Sequence, residues 1–158
     1  MWKTTKSAFV AWMTLASALP LHAQDIEDTQ TFSDWRVTCE GDQGCRMSQA
    51  IVQASTNRLI LEFKIYGSDD PTALITFPLG ILLSTGWQYK IDNQKGAVLP
   101  FEICNVDGCF AGVKLSNSLI KSMKRGNKMS IRFFDAAQSE VNPVVSLAGF
   151  TKAYEAIQ

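Results

Sequence analysis

The chain has 158 residues, with 15 Lys+Arg against 15 Asp+Glu, a single histidine and a 46% hydrophobic content. That length suits one domain able to bury a sizeable core. A formal net charge of zero removes most of the case for nucleic-acid binding, which asks for a strong positive excess.

Read from the amino end, Lys3 and Lys6 precede an apolar run from Ala8 to Leu19, and Pro20-Leu21-His22-Ala23 follow. Positive charge, a short apolar core and a small residue are the three parts of a secretory signal peptide. The expected signal spans 1–23, with cleavage after Ala23. A helix needs about 20 apolar residues to cross a bilayer, so no transmembrane segment is expected in the mature chain. The first cysteine, Cys39, lies well past the cut, which argues against a lipoprotein. The expected product is therefore one soluble domain over 24–158, periplasmic, secreted or at the cell surface.

Cleavage there also removes His22, the only histidine, and with it Ser-His-Asp catalysis, Cys-His catalysis and His-ligated metal sites. Loss of Lys3 and Lys6 from the 15 basic groups leaves 13 against 15 acidic, a net charge near −2. No cofactor and no metal are expected.

Residues 24–30 are polar and acidic and read as a mobile lead-in. Short β-branched and aromatic runs between turn residues then predict strands at 35–39, 46–54, 59–66, 73–77, 80–83, 88–91, 98–104, 110–115, 128–134 and 143–147. The stretches 67–71 and 92–96 read as turns, and 55–58 as a hairpin connection. Within 59–65, Leu61, Phe63 and Ile65 fall on one face, while Glu62 and Lys64 fall on the other. Two short helices interrupt the pattern. Ser116 or Asn117 caps one over 119–125 that Gly126 closes; the other ends the chain with Phe150, Ala153, Tyr154 and Ile157 on one stripe. Many short strands at this spacing predict an antiparallel sandwich or barrel.

Cys39, Cys45, Cys104 and Cys109 form an even set in an exported chain, which reads as a disulfide framework. Three pairings are possible. Cys39–Cys45 and Cys104–Cys109 are favoured because each pair flanks a turn-like segment. A redox centre or a four-cysteine zinc site is the alternative, but neither spacing is Cys-x-x-Cys.

Lys121, Lys124, Arg125 and Lys128 concentrate positive charge and make a candidate anion-binding patch for phospholipid, lipopolysaccharide phosphate or glycosaminoglycan. The plainer reading is a helix end that favours cations against its carbonyls. Asp69-Asp70 and the Asp25/Glu27/Asp28 group lack the spacing of a calcium loop and read as a turn and a solvated tail. Ser118 and Lys121 have the Ser-x-x-Lys spacing but none of its companion motifs. Trp35 and Trp87 read as core anchors rather than ligand platforms. No residue is assigned a catalytic role.

Several segments together resemble the bacterial invasion-associated locus B family: Phe32-Ser33-Asp34-Trp35-Arg36-Val37-Thr38-Cys39-Glu40, Cys45-Arg46-Met47-Ser48-Gln49 and Phe77-Pro78-Leu79-Gly80. Pro100-Phe101-Glu102-Ile103-Cys104, Gly108-Cys109-Phe110-Ala111 and Ser146-Leu147-Ala148-Gly149-Phe150-Thr151-Lys152-Ala153 complete the series. The resemblance implies an immunoglobulin-like β-sandwich, exported, with its cysteines in disulfides. It supplies no catalytic motif. The expected function is a non-catalytic envelope or secreted protein, an invasion-type binding factor with an unidentified protein, envelope or host-surface partner. The alternatives are a periplasmic accessory protein for envelope integrity or assembly and, last, a hydrolase using carboxylates alone.

Overall fold

A computed structural model describes residues 28–41 and 44–158. The expected signal peptide, together with His22, Asp25 and Glu27, lies outside the described residues. Among the described residues, one sheet holds β1 (Asp28–Phe32), β2 (Trp35–Cys39), β3 (Cys45–Gln53), β4 (Arg58–Tyr66), β5 (Thr72–Phe77), β8 (Ile103–Asn105) and β9 (Gly108–Lys114). Their order is β1-β2-β3-β4-β5-β9-β8. The second sheet runs β11-β10-β6-β7, from β6 (Trp87–Ile91), β7 (Gln94–Leu99), β10 (Lys128–Phe134) and β11 (Glu140–Val141); β12 (Val144–Ser146) also pairs with β10. All of these pairings are antiparallel.

Period-two alternation builds the core between the sheets. In β4, Leu61, Phe63 and Ile65 are buried, while Glu62 and Lys64 form an ion pair of 2.9 Å on the opposite face. Met129, Ile131 and Phe133 alternate inward in the same way along β10. The two faces meet at Phe77 of β5, whose ring lies 5.6 Å from Trp87 and 5.2 Å from Phe133 between centroids. Both Trp35 and Trp87 are buried, as core anchors should be.

A polar clasp joins the sheets at one end. The Trp35 indole N–H donates to the Ser146 carbonyl at 2.9 Å. The Gln49 amide donates to that same oxygen at 3.1 Å and accepts the Ser146 N–H at 2.7 Å. Gln49 is only 7% exposed, so its amide is tolerated there because both ends are paired.

Among the described residues, two helices close the sandwich. In α1 (Asn117–Arg125), the Ser116 hydroxyl accepts the Leu119 N–H at 3.2 Å, and the Gly126 N–H bonds the Ser122 carbonyl at 2.9 Å. In α2 (Phe150–Ala156), Phe150, Ala153 and Tyr154 are buried together with Ile157 just beyond, the expected stripe. Gly149 starts α2 at φ +83°, and a Cβ there would stand 2.0 Å from the Phe32 carbonyl oxygen. Only glycine lets the helix begin this close to the end of β1. Among the described residues, no helix is long and apolar enough to cross a membrane.

Some expected boundaries moved. Residues 28–30 belong to β1 rather than to a lead-in, because β2 supplies their ladder partners. The expected strand 80–83 is reduced to a bridge between Ile81 and Asp135, followed by a 3-10 turn at Leu83–Thr85. Gly80 and Gly86, at φ +82° and +63°, bracket that segment and break the extended geometry. The expected strand 98–104 is split, with β7 in one sheet and β8 in the other, and Pro100 lies in the crossing. The expected turn 92–96 narrows to Asp92 and Asn93, with Asp92 at φ +47°, so β7 already begins at Gln94.

Candidate anion-binding trough

The four clustered cations do not act as one group. Helical spacing puts Lys121 and Arg125, four residues apart, on the same face of α1. There they line a trough of about 510 Å³ whose other wall is the β6–β7 hairpin, at Asp92 and Asn93 of the turn and Gln94 at the start of β7. Lys124 turns the other way. Its ammonium lies 3.3 Å from Glu155 Oε1 and 5.2 Å from the centre of the Tyr154 ring, where it ties α1 to α2. Lys128 opens β10 and is exposed, outside the trough lining.

Asp92 is the acid of this trough, and its carboxylate is already engaged. It accepts the Asn127 N–H at 3.2 and 3.1 Å and the Lys128 N–H at 3.2 Å, pinning the hairpin to the chain that leaves α1. No described ion pair involves Lys121 or Arg125. A second hollow of about 310 Å³ adjoins the first, sharing Ile91, Gln94, Ser118 and Ser122 and adding Lys95 from β7. The Ser122 hydroxyl donates to the Ser118 carbonyl at 3.0 Å, which keeps its lone pairs available. The Ser118 hydroxyl pairs with that of Ser116 at 2.9 Å.

Charge density along the sequence found Lys121 and Arg125 but missed Lys95, Ser118 and Ser122. The serines carried a legible signal: Ser118, Lys121, Ser122 and Arg125 follow the i, i+3, i+4, i+7 spacing of one helical stripe. Lys95 did not, since it comes from the facing sheet.

The cysteines form both favoured disulfides, Cys39–Cys45 and Cys104–Cys109. In each, the two residues stand opposite one another across a hairpin, in β2–β3 and in β8–β9. Two of the described groups outside the trough have shifted titration. The Arg46 guanidinium hydrogen-bonds Glu40 at 2.6 Å and holds its carboxyl below the usual range. Burial pushes the Tyr154 phenol upward.

Comparison with known proteins agrees with this architecture. The family described as "Invasion associated locus B (IalB) protein" matches residues 35–158. An invasion protein B homolog of Brucella abortus (strain 2308) is 28% identical over 162 residues, covering 98% of this chain and 91% of the relative. Invasion protein B of Bartonella bacilliformis is 25% identical over 133 residues, covering 79% of this chain and 72% of the relative. The crystal structure of invasion associated protein B from Bartonella henselae superposes with a TM-score of 0.72 at 21% identity, covering 82% and 94% of the two chains. That last likeness is one of fold.

Proposed function

This chain belongs to the invasion-associated locus B family, and from that premise we propose that it is a non-catalytic, exported binding protein of the invasion type. Residues 1–23 direct export and are removed, and the domain over 24–158 works at the cell surface or beyond. The observation that carries this reading is the pair of cross-strand disulfides, which persist in an oxidising compartment and are rare in a reducing one. Relatives named for invasion support the virulence association. Protease treatment of intact producing cells, with assay of the medium, tests it. Digestion of the protein on whole cells, or its recovery from the medium, is the expected result. Full protection within the periplasm would overturn surface action.

That second outcome would favour an accessory role in envelope integrity or assembly, and one feature suits it. Among the described residues, β7 pairs with β6 alone and β8 with β9 alone, so two neighbouring strand edges stand open. Val98 and Ile103 on those strands are 58% and 63% exposed. An open edge can accept an extended segment of a partner.

A further inference from the structure

We propose that the trough between α1 and the β6–β7 hairpin is a binding site for a sulfated polysaccharide chain. The inference deepens the exported-binder reading and rests on it for access to such a ligand. The helix dipole accounts for Lys124 and Arg125, which stand in the last turn of α1. It does not account for Lys121, which lies a turn earlier, or for Lys95, which comes from the opposing sheet.

Lys121 and Arg125 repel one another at i, i+4, and no described acid forms an ion pair with either side chain. An anion between helix and hairpin relieves that repulsion. The one carboxylate lining the trough, Asp92, is held by backbone N–H groups beside the cations, so the site suits singly charged groups better than dianionic phosphate monoesters.

Shape separates a chain ligand from a membrane. The cations line a recess that continues into a second hollow, with Asn93, Gln94, Ser118 and Ser122 between the charges. A flat headgroup layer meets only the rim of such a recess. An elongated sugar chain enters it, placing sulfates against Lys121, Arg125 and Lys95 and hydroxyls against the amides and serines.

The test measures binding of the full mature chain to a heparin-derived hexasaccharide at about 0.15 M salt. A desulfated hexasaccharide and phosphatidylglycerol vesicles serve as comparison ligands. The trough variant is K121A/R125A; the charge-matched control, K124A/K152A, removes two cations beside α2. Thermal melting of each variant shows that it folds. The expected result is binding of the sulfated oligosaccharide alone, weakened about tenfold or more in the trough variant and little changed in the control. No binding by the wild type, equal losses in both variants, or stronger binding to vesicles would each overturn the proposal. Those failures would leave the whole-cell protease result intact, so the ligand and the exported-binder reading fail separately.

Discussion

At the scale of single residues, the positions that carry the family resemblance are structural. Trp35, Gln49, Ser146, Gly149 and Phe150 are the clasp between the sheets and the joint at α2, where the Trp35 and Phe150 rings meet at 5.4 Å. Replacing Gln49 by Leu strips the Ser146 N–H of its partner inside the molecule. It should cost about 2–3 kcal/mol in urea unfolding, and a cost near zero would mean the clasp is not holding the sheets. Two residues tie stability to pH among the described residues. Glu40 titrates below its ordinary value, so its contribution is present above the unfolded carboxylate pKa and lost as pH falls through the lower folded one. Glu40→Gln should flatten that part of the acid limb. Tyr154 titrates above its ordinary value, so stability holds below the unfolded phenol pKa and declines as pH rises through it toward the folded one. Tyr154→Phe should abolish that alkaline decline in pH-dependent melting curves, and an unchanged decline would place its cause elsewhere.

At the scale of elements, legibility followed the strength of the local pattern. The alternation of 59–66, the capped helix after Ser116 and the stripe from Phe150 to Ile157 were readable because each buries one face against the core. β1 and β11 were not, since their residues are largely exposed and they exist through hydrogen bonding to a neighbour. The change of sheet between β7 and β8 was also invisible, because β-branched and aromatic composition is alike on both sides of Pro100. The disulfides differ in access. Cys104 is exposed on edge strand β8 although its partner Cys109 is buried, while Cys39 and Cys45 are both half-buried between β2 and neighbouring β3. Brief treatment with reductant followed by thiol labelling should mark Cys104 first, since the reductant reaches that bridge through its exposed residue. Each bridge closes a short loop and should contribute about 2 kcal/mol in the chain-entropy model. Labelling of Cys39 and Cys45 first would show that exposure does not control reduction here.

For the whole molecule, the exported-binder reading assigns the sandwich, the two disulfides and the trough to one compartment. The trough itself was half legible. Lys121 and Arg125 stood out as charge, but the wall they face comes from a hairpin some thirty residues earlier, and only the packing of α1 beside β6 and β7 brings it near. A sulfated polysaccharide is met outside the cytoplasm, where the bridges also persist. Export is therefore the claim on which the rest depends. The most direct test is the intact mass, without reduction, of the protein recovered from the periplasm or medium of producing cells. The expected species is a chain beginning at Gln24 with both disulfides formed. A full-length chain in the cytoplasm with four free thiols would contradict it.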